Sequence, residues 1–186
     1  MSQKHTIHEA LRAFAQAVTS KMAQLTLGEP EDQLRGPFEN LMAGVASALG
    51  RDVVCKGETP LPDRLGRPDF AVHIAQLLIG YVELKAPGVG ANAKRFKGRN
   101  RDQFKRFSAI PNLLYTDGNE WALYRDGDQV DKIVRLSGDV AVDGAEAATP
   151  EDAEALERLL RDYFSWKQVI PTDRKGKIDL KGFAPC

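Results

Sequence analysis

The chain has 186 residues, enough to bury a substantial core without disulfides or a structural metal. Its 26 basic and 26 acidic residues cancel, so global charge points to no polyanionic partner, and any such signal must be local. Cys55 and Cys186 have no CxxC or Cys/His spacing, no apolar run approaches the ~20 residues that span a bilayer, and the opening MSQKHTIHEALRAF has no signal-peptide core. These features argue against a disulfide-stapled, membrane-spanning or secreted chain, and the expected location is the cytoplasm.

In chain order, Leu11, Phe14, Ala15, Val18, Met22 and Leu25 fall at spacings of three and four, the stripe of an amphipathic helix over 7–25 that Gly28 and Pro30 end. A second helix is predicted over about 31–49, with Phe38, Leu41, Met42, Val45 and Leu49 inward and a break or restart at Gly36-Pro37. Three strands are predicted next, at 52–56, 69–74 and 77–85, forming an antiparallel meander that Ala86-Pro87-Gly88 stops.

Between Lys85 and Arg106, eight basic residues against Asp102 alone give a local charge of +7. The first half of that segment is glycine-rich and loop-like, and 100–107 is predicted as a short helix carrying Gln103. Strands at 112–116, 120–125 and 129–136 follow, joined by turns at Asp117-Gly118 and Asp126-Gly127. Residues 137–149 are small and polar and read as a surface loop. A helix over 149–166 carries its own start signals: Thr149 as cap, Pro150 at the first position and acids in the first turn. One domain is expected over 1–170, with 171–186 as a linker or tail, and Trp121, Tyr124, Phe164 and Trp166 are expected in the core.

The stretch RPDFAVHIAQLLIGYVELK, from Arg67 to Lys85, holds the chemistry. On a strand, Tyr81, Glu83 and Lys85 share one face while Val82 and Leu84 take the other. If the short Ala75-Gln76 connection lets 69–74 pair with 77–85, Asp69 arrives at the same edge of the sheet as Glu83 and Lys85. Burying such groups costs several kcal/mol unless they are paired or bind a metal. His73, on the Asp69 strand, is expected to pack or face solvent. No Gly-rich phosphate loop, zinc spacing or GxSxG elbow is present.

Pro68-Asp69 followed by Glu83-Leu84-Lys85 resembles the PD-(D/E)xK nuclease superfamily. The longer phrasing through Gln103-Phe104 and Leu114-Tyr115-Thr116-Asp117-Gly118 resembles the Mrr-like N-terminal nuclease domains of single-polypeptide (type ISP/IIG-like) restriction-modification enzymes. The resemblance spans roughly residues 30–136. It implies an α/β fold of the restriction-endonuclease type, a mixed sheet flanked by helices in which an antiparallel hairpin carries the site. It also implies a hydrolase: a Mg²⁺-dependent DNA endonuclease in which Mn²⁺ substitutes. Asp69, Glu83 and the Leu84 backbone carbonyl would hold the metal, with Glu39 of the second helix as a further acid. Lys85 would act on the attacking water or the developing charge, and Gln103 at the scissile region. Glu39 and Gln103 also read as ordinary surface residues. Lys94, Arg95, Lys97, Arg99, Arg101, Lys105 and Arg106 are expected to contact the DNA backbone.

The implied partners are double-stranded DNA and fused or associated methyltransferase, target-recognition or helicase modules, with dimerisation on DNA left open. Two alternatives share the fold. One is a non-catalytic DNA-binding or scaffolding domain; the other is a structure-specific resolvase or repair nuclease.

Overall fold

The computed structural model describes residues 3–24, 29–57, 60–61 and 65–166. Helix α1 runs Gln3–Met22, and its stripe of Ile7, Leu11, Phe14, Ala15 and Val18 is buried. Helix α2 runs Asp32–Ala48 and buries Leu34, Phe38, Leu41, Met42 and Val45 against it. The expected break at Gly36-Pro37 is absent, because α2 passes through Pro37 without interruption. Proline costs one i→i−4 hydrogen bond there, but the residue before it has no Cβ to clash with the ring, and the ring itself is buried. Gly50, at φ +64°, then provides the left-handed stop.

A six-stranded sheet follows in the order β1-β2-β3-β4-β5-β6: Val53–Gly57, Phe70–Ile74, Leu77–Leu84, Leu113–Thr116, Glu120–Arg125 and Asp128–Arg135. The first three strands form the expected antiparallel meander, and the last three a second one. Strands β3 and β4 are parallel, so the chain must cross over between them. The basic segment makes that crossover and includes α3, Gly98–Phe107. This puts β3 in the middle of the sheet, where Val82 and Leu84 join the main core with α1, α2 and α4. On the opposite face, Phe96 and Phe107 pack with Leu113, Tyr115 and Tyr124 in a smaller core roofed by α3.

The turns follow local chemistry. Ala75-Gln76 and Asp126-Gly127 close two-residue hairpins with both residues at positive φ. At the β4–β5 turn, Asp117 Oδ1 accepts from the amides of Asn119 (3.0 Å) and Glu120 (2.7 Å). Its Oδ2 accepts from Gly88 (3.0 Å) and Gly90 (2.7 Å), so one buried carboxylate ties the loop leaving β3 to the hairpin beyond it.

Residues 137–149 are not the plain surface loop expected. Val140, Ala147 and Ala148 are buried in the main core, and Thr19 of α1 donates to the Val140 carbonyl at 2.7 Å. Small side chains let this segment lie close on α1, and that packing compensates for its weak hydrophobic signal. Helix α4, Pro150–Ser165, starts as expected, with Thr149 and Asp152 forming a reciprocal capping box. Trp121, Tyr124 and Phe164 are buried as expected, whereas Trp166, just past the end of α4, is only half-buried and joins neither core. No helix among the described residues is long and apolar enough to cross a membrane. The expected tail, 171–186, lies outside the described residues.

Candidate active site

Strand alternation sets the site. With Val82 and Leu84 committed to the main core, Glu83 and Lys85 must face α3, and both side chains are only 3% exposed. The Lys85 amide still donates to the Thr116 carbonyl (2.8 Å), so the lysine stays in line with the sheet although β3 ends at Leu84. Phe70 pairs with Val82, which places Asp69 one step beyond, alongside Glu83. Asp69 Oδ2 accepts from the Leu84 amide at 2.7 Å, and Oδ1 accepts from Arg35 of α2.

The Lys85 ammonium donates to Glu83 Oε1 at 2.7 Å and to Glu31 Oε1 at 3.4 Å, and it lies 5.8 Å over the Tyr115 ring. Gln103 Nε2, reaching down from α3, donates to the same Glu83 Oε1 at 2.6 Å. Glu83 Oε1 therefore has two donors, whereas Oε2 is buried without a partner among the described residues. Glu31, Asp69 and Glu83 each offer one carboxylate oxygen, and those three atoms lie within 4.8 Å of one another.

Three carboxylates this close, two of them buried and Glu31 partly so, repel. Burial pushes the Glu83 carboxyl up to about 7; the charges of Asp69 and Glu31 add to the rise, and Lys85 opposes it. Asp69 and Glu31 are raised as well, again chiefly by burial. The Tyr115 hydroxyl, buried beside them, is raised by desolvation first and by the Glu83 charge second. The arrangement is costly in water alone and is the kind of environment that a bound divalent cation relieves.

The expected residues fare differently. Asp69, Glu83, Lys85 and Gln103 come together. Glu39 does not: it is exposed on α2, outside the cluster, and acts electrostatically on Cys55, whose thiol burial and that charge push up to about 12. The acid from this part of the chain is Glu31, immediately before α2. Glu39 is eight residues further along a helix that rises ~1.5 Å per residue, which displaces it by ~12 Å. An acid at a helix start, directly after Pro30, was the available signal for Glu31. His73 also lies outside the cluster, on β2, where burial and Lys56 lower its pKa and its Nδ1 lacks a partner among the described residues.

The basic residues Lys94, Arg95, Lys97, Arg99, Arg101, Lys105 and Arg106 are all exposed along the crossover and α3. Arg99 lines a cleft of about 340 Å³ with Asn100, Gln103, Lys85, Glu29, Glu31 and Asp32, which connects the basic surface to the acidic cluster. Arg95 departs from the expected simple surface role, since it pairs with the buried Glu120 at 2.7 Å and helps hold the crossover to β5. Arg106 donates to the Asp102 carbonyl of its own helix, and Arg101 lies 3.7 Å from the Asp102 carboxylate.

No protein-family model matches the sequence, and no curated protein matches it. Among solved structures, the chain is similar to one in the cryo-electron-microscopy structure of a DrdV–DNA complex. The identity is 20% and the TM-score 0.57, over 86% of this chain and 14% of that one. At that identity the likeness is one of fold. It agrees with the architecture above, a restriction-endonuclease-like mixed sheet flanked by helices.

Proposed function

We propose that the chain is a metal-dependent DNA endonuclease domain of the PD-(D/E)xK type, the nuclease module of a restriction-modification enzyme. The observation that carries this reading is Glu83 Oε2, buried without a partner among the described residues, on a side chain that clusters with Asp69 and Glu31 beside the buried Lys85. A buried carboxylate oxygen without a donor is costly unless it meets a cation, and a hard, all-oxygen donor set suits Mg²⁺ or Mn²⁺. The residues present therefore fit the ion. Asp69, Glu83 and Glu31 would hold it, with the Leu84 carbonyl as a further oxygen.

When bound, the ion neutralises phosphate charge and lowers the pKa of a coordinated water. The chain's own residues supply the rest. The Leu84 amide fixes the rotation of the Asp69 carboxylate. Gln103 and Lys85 hold Glu83 through Oε1 and leave Oε2 without a donor among the described residues. The Lys85 ammonium, anchored between Glu83 and Glu31, lies where it can orient the attacking water or stabilise charge on the phosphorus oxygens. Arg99, at the cleft, and the exposed Lys97, Arg101 and Lys105 provide contacts to the phosphate backbone. The DrdV–DNA complex supports DNA as the substrate. The small share of that larger chain that this one spans supports a role beside other modules.

The competing reading is a DNA-binding or scaffolding domain without catalysis. The carboxylates argue against it, because a binder has no reason to gather three acids where phosphates dock. Nicking of supercoiled plasmid in Mg²⁺ or Mn²⁺ tests the proposal. Cleavage that requires the metal and is lost in folded Asp69→Asn and Glu83→Gln variants supports it. Variants that cut as well as the parent overturn it.

A further inference from the structure

Asp69 is engaged at both oxygens, by partners of different kinds. The donor to Oδ2 is the Leu84 amide, a backbone group of the central strand that cannot move without disturbing β3. The donor to Oδ1 is the Arg35 guanidinium, at the end of a flexible side chain. Arg35 has another carboxylate within reach: its Nε donates to Asp32 Oδ1 at 3.3 Å, three residues back on α2. Its guanidinium carbon lies 5.8 Å over the Phe70 ring, which supports the group from below. The Asp32 side chain is 58% exposed and lines the cleft, whereas that of Asp69 is 10% exposed and belongs to the acidic cluster.

We propose that Arg35 competes with a divalent cation for Asp69 Oδ1 and thereby sets the metal affinity of the site. The inference rests on the metal-site reading above. With Oδ2 committed to the Leu84 amide, Oδ1 is the Asp69 oxygen more readily given up to a metal, and the Arg35 guanidinium already holds it. With Arg35 in place, its positive charge lies within hydrogen-bonding distance of the oxygen a divalent cation would take, so the two repel and compete for it. Withdrawal of Arg35 onto Asp32 removes that repulsion and frees Oδ1. Asp32 keeps the displaced guanidinium paired, so the exchange does not strand a charge. Arg35 is thus a positioning residue of the metal site, distinct from the groups that would touch substrate.

The test is Mn²⁺ titration of the full chain at pH 8, followed by the electron paramagnetic resonance signal of free Mn²⁺, with circular dichroism to confirm folding. The parent should bind Mn²⁺, and Asp69→Asn should abolish binding. Arg35→Gln should bind roughly tenfold more tightly, the effect expected from removing one like charge at a half-buried site. Arg35→Lys keeps the charge but loses the fork that spans Asp32 and Asp69, and should fall between the two. Parent binding that depends on Asp69, with a folded Arg35→Gln variant that binds no tighter or more weakly, overturns the inference and leaves the metal site standing. Were the Gln variant unfolded, a Lys variant no tighter than the parent would overturn it equally. Parent binding indifferent to Asp69→Asn would refute the metal site itself, and the inference with it.

Discussion

Replacing Glu83 by glutamine should make the protein more stable above neutral pH while removing its response to metal. The Glu83 side chain is 3% exposed, and its carboxyl is pushed from an ordinary 4.5 to about 7, chiefly by burial. A folded-state value above the unfolded one means that the fold prefers the protonated form. That preference contributes fully below pH 4.5 and is lost as pH rises from 4.5 to 7. Above pH 7 the ionised group costs the fold up to about 3 kcal/mol. Glutamine keeps the shape and an acceptor for Lys85 and Gln103 but cannot ionise, so it removes that cost; weaker attraction to Lys85 takes part of the gain back. The expected net gain is about 1–3 kcal/mol at pH 8, which for a chain of this size raises the melting temperature by roughly 3–10 °C. At pH 4.5 the gap should close. Thermal unfolding of parent and variant between pH 4.5 and 8.5 measures it. Mg²⁺ at ten times its dissociation constant should then raise the parent alone, by about 1.4 kcal/mol. A parent more stable than the variant at pH 8, or a gap of equal size at both ends of the range, refutes the electrostatic reasoning.

Three further outcomes are expected. Lys85→Met leaves three neighbouring carboxylates without their buried ammonium and should cost about 3–5 kcal/mol at pH 8, with much of the loss recovered near pH 5 as the acids protonate; chemical denaturation at the two pH values checks this. Asp117→Ala strands four amide donors, those of Gly88, Gly90, Asn119 and Glu120, and should lower stability by about 3 kcal/mol or more; in hydrogen exchange, the amides of Gly88 and Gly90 should lose protection. Arg99→Ala and Arg101→Ala should each weaken binding to DNA of any sequence and reduce the salt dependence of binding by about one unit in slope, measured by fluorescence anisotropy; an unchanged slope would place the DNA elsewhere.

Much of this protein is written locally. A strand of period two in which Val82 and Leu84 are apolar must put Glu83 and Lys85 together on the opposite face. Thr149, Pro150 and Asp152 start α4 with no help from the rest of the chain. Such features depend on neighbours a few residues away, so period and capping chemistry suffice to find them.

Other features depend on where distant segments meet. Glu31 stands just before α2 and Glu39 in its middle, and only the tertiary placement of the helix selects the first. The Gly36-Pro37 pair reads as a break until the buried proline ring is seen to belong to the core. Asp117 reads as a turn residue, and its second oxygen holds a loop 29 residues earlier in the chain. Arg35 carries no motif at all, and its grip on Asp69 spans 34 residues. Residues 137–149 look like solvent-exposed loop because their side chains are small, and that smallness is what lets them pack on α1. Local pattern determined which faces carry charge. Tertiary packing decided which charges meet, because burial and Coulomb energy depend on separation in space rather than along the chain.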